Sequence, residues 1–264
     1  LMNESNWNCH THLQLAKFGI NIPLPMFTAR NYVLFKEIIG DKPDEAQLQE
    51  LLPNIAYLCA AVASLNFPRQ KNILSPKMEE RILQLLPADI SKLQNRELLL
   101  ADDVVEKIKT LFATKLHKYL VPGTVHGDIN LKNILLVKMA RLQDQGMALV
   151  DSEFGTDYAK PAFDKPRFQD GAYFYHLLYC QYHRPDLAEQ FMRLYSNALK
   201  DAGVEMETSF QFEFYASVLE RTVSMGNHFV WNRAEGKIID DTRRIEPVPY
   251  HVLTDLSISV LTSA

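Results

Sequence analysis

The feature that most constrains this chain is a run of polar residues caught between a long amphipathic segment and a β-hairpin. It reads Val125-His126-Gly127-Asp128-Ile129-Asn130-Leu131-Lys132-Asn133-Ile134-Leu135-Leu136. Further on comes Ala148-Leu149-Val150-Asp151-Ser152-Glu153-Phe154-Gly155. Residues 134–138 and 147–151 are short apolar strands, and Asp144-Gln145-Gly146 between them is a hairpin signal. Closing that hairpin brings Asn133 and Asp151 to the same end of it.

The rest of the chain arranges itself around this hairpin. Residues 3–18 have helical spacing and stop at Gly19. Two prolines, Pro23 and Pro25, mark residues 20–27 as an extended edge segment. The β-branched and aromatic run 32–39 reads as a buried strand paired to that segment by a short turn. Pro43 and Asp44 resemble the start of a helix over 45–65, which Pro53 must kink or split. Residues 75–86 and 88–99 are amphipathic candidates. The 102–120 segment is stronger, with Val104, Val105, Ile108, Leu111, Phe112, Leu116, Tyr119 and Leu120 on one face. Aromatic-rich helices are predicted over 168–182, 185–201 and 209–231. The layout is a small strand-containing piece, residues 1–40, followed by a mostly helical domain, residues 41–264. A chain that opens inside a helix also reads as a piece of something longer.

Composition narrows the classes. The 264 residues carry a formal charge of −4, so no broad basic face exists for nucleic acid. The apolar stretch 55–65 is too short to span a bilayer, and no signal peptide opens the chain. Cys9, Cys59 and Cys180 make no disulfide framework, which suggests a reducing, cytoplasmic compartment. Oligomeric state is not legible.

The polar residues of the hairpin suit phosphoryl transfer. That reaction needs a carboxylate to orient a hydroxyl and take its proton, and hard oxygen ligands for magnesium. Asp128 can do the first. Asn133, through its amide oxygen, and Asp151, through its carboxylate, can do the second.

At these residues a resemblance becomes plain. His126-Gly127-Asp128 with Asn133 resembles the catalytic loop of the aminoglycoside phosphotransferase and choline kinase family, a branch of the protein-kinase-like fold. Ordinary protein kinases place His-Arg-Asp at the same spacing to asparagine, and Asp-Phe-Gly where this chain has Asp151-Ser152-Glu153. Ser152 and Glu153 favour the small-molecule branch, while RIO-type kinases share the Val125-His126-Gly127-Asp128 loop. The resemblance runs from about Asn3 to Tyr182. It implies an α+β protein-kinase-like fold, with the last N-lobe strands and hinge in residues 1–40 and a helical C-lobe in 41–264. It implies ATP and magnesium as cofactors and a small-molecule hydroxyl as acceptor. The backbone of Glu37, Ile38 and Ile39 would grip adenine, and Lys132 is assigned to the cofactor with them. His126, grouped with the catalytic Asp128, would order the loop through backbone hydrogen bonds. Glu153 would lie by the metal or make a structural bond. Asp170 resembles the buried aspartate that braces the catalytic loop, and Glu4 is a candidate for the glutamate that pairs with a strand lysine. No glycine-rich loop and no strand lysine are found, so this chain alone is expected to bind ATP poorly. A RIO-like or other protein-directed kinase, and a non-catalytic pseudokinase scaffold, stand as alternatives.

Several features read more simply. Cys9-His10-Thr11-His12 lacks zinc spacing. Tyr173-Phe174-Tyr175-His176 reads as core, Ile238-Ile239-Asp240-Asp241 as a turn, and Arg243-Arg244 as a solvated pair. Asp157, Asp164, Glu213 and Glu220 are acidic groups that would suit a cationic acceptor.

Overall fold

The hairpin forms, but not with the expected turn. Gln145 and Gly146, read as turn residues, belong to a strand over 145–149 and pair with Lys138 and Val137. The connection 139–144 lies outside the described residues. In the computed structural model, which describes residues 2–29, 32–65, 100–116, 119–138, 145–152, 165–205, 210–234 and 247–263, the strands over 134–138 and 145–149 pair antiparallel. In chain order, helix α1 is Met2–Ala16, β1 is Ile20–Asn21, β2 is Pro25–Ala29 and β3 is Tyr32–Phe35. Helix α2 is Leu48–Ala63 and α3 is Asp102–Leu111, which passes into a π-helical turn at Phe112–Leu116. Strands β4 (Ile134–Lys138) and β5 (Gln145–Leu149) follow, then helices α4 (Gln169–Cys180), α5 (Pro185–Asp201), α6 (Phe210–Ala234) and α7 (Pro247–Thr262). The expected helices at 75–86 and 88–99, the turn at 238–241 and Arg243-Arg244 lie outside the described residues.

The N-terminal strands differ from the expectation. Residues 20–27 do not form one segment paired to β3. Ile20 and Asn21 instead pair in parallel with Met147 and Ala148 of β5, giving the order β1-β5-β4. Only β2 pairs antiparallel with β3. Pro23 has no N–H to give a ladder, so the pairing breaks there and the chain changes sheet. Strand β3 also stops at Phe35, short of the predicted Ile39. The chain beyond is drawn onto β4 by Asp41, which exchanges backbone hydrogen bonds with Leu136 (3.0 and 2.8 Å). Gly40 permits this approach, since a Cβ there would meet the Leu136 carbonyl oxygen at 2.8 Å. Ile39 is left 81% exposed.

The helical part buries most of the core. Asp44 starts it with a capping box: its carboxylate accepts from the Gln47 N–H, and the Gln47 side chain accepts from the Asp44 N–H, each at 3.1 Å. Helix α2 continues past Pro53 rather than splitting. The bond forfeited there belongs to Gln49, which like Pro53 faces solvent, so water can satisfy it. Helix α2 packs on α5 and α4, α4 also packs on α6 and α7, and α3 reaches α7. The predicted apolar face of 102–120 is real: Ile108, Leu111, Phe112, Leu116 and Leu120 are buried. Tyr173, Phe174, Tyr175 and His176 are core residues. Helix α7 was not foreseen. Its buried positions Tyr250, Leu253, Thr254, Ser257, Ile258 and Leu261 have helical spacing, but two of them are polar. Thr254 and Ser257 hide by donating to the carbonyls of Tyr250 and Leu253, each at 2.8 Å.

Candidate active site

Two antiparallel loops frame the polar run. The N–H of Gly123 donates to the Lys165 carbonyl (3.0 Å), and that of Arg167 to the Val121 carbonyl (2.8 Å). Beyond them the chain turns inward at His126 and Gly127. Gly127 adopts φ 90°, a region L side chains rarely enter. That turn aims two successive N–H groups at one carboxylate. Asp170, near the start of α4, accepts from His126 N–H at 2.7 Å and from Gly127 N–H at 2.8 Å. Burial pushes Asp170 up to about 6, against the pull of those two N–H groups.

The His126 ring is buried and edge-on to Trp7, with centroids 5.3 Å apart. Its Nε2 lies 3.1 Å from the Val150 carbonyl oxygen. A carbonyl only accepts, so the ring proton sits on Nε2. Burial lowers His126 to about 4, which keeps the ring neutral at neutral pH.

Asp128 is 8% exposed and is gripped by two amides. The Asn130 Nδ2 donates to its Oδ1, and the Asn133 Nδ2 to its Oδ2, each at 3.0 Å. Both amides also reach the Asp128 main-chain carbonyl, at 3.2 and 3.0 Å. Asn133 closes a short 3-10 turn, Leu131–Asn133, which Asn130 caps by accepting the Lys132 N–H at 2.9 Å. The β4–β5 register then sets Asn133 opposite Val150, whose N–H donates to the Asn133 carbonyl at 3.0 Å. Asp151 follows directly, exposed, with φ 62°.

No family model matches this sequence, and no curated protein matches it. Solved structures do. An ethanolamine kinase from Plasmodium vivax superposes with a TM-score of 0.60 at 12% identity, over 98% of this chain and 71% of its own. The gentamicin complex of APH(2")-IIa, an aminoglycoside phosphotransferase, gives 0.50 at 15% identity, over 99% of this chain and 80% of its own. The fold is protein-kinase-like. Likeness at such identity is likeness of fold; the chemistry has to be argued from the residues.

In this kinase-like frame Asp128 and Asn133 are in direct contact, and Asp151 stands one residue beyond the Val150 bond. Lys132 is exposed on the 3-10 turn. Glu37 and Ile39 are exposed and Ile38 is half-buried, just before the chain docks on β4. Glu153, Asp157 and Asp164 lie outside the described residues. Glu213 is not available to an acceptor: its carboxylate takes Nε and Nη2 of Arg167, each at 2.6 Å. Glu220 is buried. Glu4 sits one helical turn before the buried Asn8 on α1. Among the described residues no helix is long and apolar enough to cross a membrane.

Three residues of the site escaped the sequence reading. Asn130 carried a local signal, since Asn before a short polar turn is a cap residue. Trp7 and Asn8 carried none. Trp7 donates from Nε1 to the Val125 carbonyl at 2.9 Å, and Asn8 accepts from the Ser152 hydroxyl at 2.8 Å. Their partners are brought to them only by the fold.

The donor set fits magnesium. Asn133 spends its Nδ2 on Asp128, which turns its amide oxygen away from that carboxylate. Asp151, exposed beyond the end of β5, adds carboxylate oxygens. Among the described residues no group of three or more His, Cys, Asp or Glu forms a cage. Magnesium does not need one, because it is held by one or two carboxylates together with water and substrate phosphates.

Proposed function

We propose that the chain carries the site of an ATP- and magnesium-dependent kinase that phosphorylates a hydroxyl of a small molecule. The observation that carries this reading is the clamped carboxylate. Asp128 is held in one plane by the Asn130 and Asn133 amides, and Asn133 is tied through Val150 to the position of Asp151. A carboxylate fixed this way is suited to orient an acceptor hydroxyl and take its proton without first reorganising. Asn133 and Asp151 would hold magnesium, with Glu153 beside them. Bound there, the metal neutralises phosphate charge. The Glu37–Ile39 backbone would meet adenine, with Lys132 towards the phosphates. His126 and Asp170 hold the loop that carries Asp128. Residues 1–40 would be the end of the N-lobe with its hinge, and 41–264 the C-lobe. The cytoplasmic placement rests on three unbridged cysteines.

Two of the structural neighbours carry ethanolamine and gentamicin in their titles, both amine-bearing alcohols, so that acceptor class is screened first. The full-length gene product is incubated with labelled ATP, magnesium and a panel of amino alcohols and aminoglycosides. Asp128→Asn should cut turnover by about 10²–10⁴-fold, the usual worth of a general base. Unchanged turnover removes Asp128 from its role. Label appearing on added protein instead would favour a protein-directed kinase, and magnesium-ATP binding without any turnover a scaffold.

A further inference from the structure

Asp151 holds a left-handed backbone, φ 62°, that a non-glycine residue keeps only when its neighbours insist on it. Its neighbour Val150 is pinned on both peptide groups. The carbonyl accepts from His126 Nε2–H at 3.1 Å, and the N–H donates to Asn133 at 3.0 Å. Its other neighbour, Ser152, is 2% exposed and is pinned from much farther away. The Ser152 hydroxyl donates to Oδ1 of Asn8 at 2.8 Å. Asn8 is 1% exposed, and its orientation is not arbitrary. Its Nδ2 donates to the Pro23 carbonyl at 2.7 Å, and a carbonyl can only accept. The amide oxygen is therefore committed to the Ser152 side, where only a donor will do. One residue earlier on α1, Trp7 donates to the Val125 carbonyl and packs its ring against His126. Adjacent residues of one helix thus grip the two strands of chain that deliver Asp128 and Asp151.

We infer that Asn8 is a positioning residue for Asp151, acting through Ser152, and that α1 thereby sets the geometry of the metal-binding loop. This deepens the proposed function and rests on it only where metal is concerned. The mechanical part stands on the hydrogen bonds alone. Loss of the Asn8–Ser152 bond leaves one side of the strained residue unheld, and the Val150 N–H bond beside it opens more often.

The test uses Asn8→Ala, Ser152→Ala and the double variant of the whole chain. The first readout is amide exchange at Val150, with amides of α5 as reference. A hydrogen bond of ordinary net worth, about 1 kcal/mol, predicts roughly fivefold faster exchange in either single variant, and little further change in the double. The α5 amides should keep their wild-type rates. The second readout is Mn²⁺ binding by electron paramagnetic resonance with the metal alone, where each single variant should weaken binding by a similar factor and Asp151→Asn should abolish it. Unchanged Val150 exchange, or an equal rise at Val150 and in α5, overturns the inference. Faster Val150 exchange combined with Mn²⁺ binding that ignores Asp151→Asn upholds the coupling and sinks the metal site instead.

Discussion

Replacing Asp170 by asparagine probes the brace beneath the loop that carries Asp128. The side chain is fully buried, and its two oxygens take the N–H groups of His126 and Gly127 at 2.7 and 2.8 Å. Asparagine has the same shape, but only one of its two heads accepts. Its Nδ2 faces an N–H, and one buried donor loses its partner, at about 1–3 kcal/mol. That cost should vary with pH. Burial raises Asp170 from 3.8 to about 6. Between those values the folded chain keeps a proton that the unfolded chain has released. The stability this group contributes is therefore complete below about pH 4 and is lost as pH rises through 6. At 1.36 kcal/mol per pH unit the loss comes to about 3 kcal/mol. Asparagine does not titrate. Urea unfolding of both proteins at half-unit steps from pH 4 to 7 should show the wild-type advantage over Asp170→Asn shrinking by up to that amount. An advantage that stays flat, or grows with pH, would refute the account of a carboxyl group desolvated under the loop.

His126 should behave with the opposite sign. Burial lowers it from 6.5 to about 4, so its contribution is whole above pH 6.5 and is lost as pH falls through 4. His126→Gln, which keeps a donor for the Val150 carbonyl, should therefore lose less relative to wild type at pH 4.5 than at pH 7 in the same unfolding experiment. Arg167→Ala strands the buried Glu213 carboxylate and should cost about 3–5 kcal/mol in denaturant unfolding, with the Arg167→Met/Glu213→Leu double variant costing clearly less. Gly171→Ala should cost about 1–3 kcal/mol, read as a lowered thermal midpoint. Its Cβ would lie 2.5 Å from Cε1 of Tyr195, and that ring is stacked on Phe191 and cannot swing aside.

How much of this could be read in advance depended on the range of the interaction involved. The β4–β5 pairing and the juxtaposition of Asn133 with Val150 follow from a local pattern, because the strands lie near each other in sequence. The turn was set too late, since Gln145 and Gly146 continue β5 in the ladder. Helix α5 was predicted from Pro185 to Asp201 and forms over those residues, with a proline at its start and a strongly amphipathic face. Helix α7 was missed because its buried side is diluted by Thr254 and Ser257, whose hydroxyls satisfy themselves on the helix backbone. The course of residues 20–27 was misread because its pairing partner, β5, lies far along the chain. Asp170 was placed under the loop by resemblance, yet the φ 90° at Gly127 that lets it bind two N–H groups is a property of the folded turn.

The amino-acid order by itself determined the residue types of the candidate site, their spacing, and the paired strands that gather Asn133 beside Val150. These depend on hydrogen-bond periods and turn chemistry that act over a few residues. Only the tertiary structure decided that Asn130 shares the grip on Asp128, that Glu213 is spent on Arg167, and that Trp7 and Asn8 reach across to Val125 and Ser152. Such contacts have no sequence period. They exist because burying a polar group demands a partner, and the partner is whichever group the packed chain brings within reach.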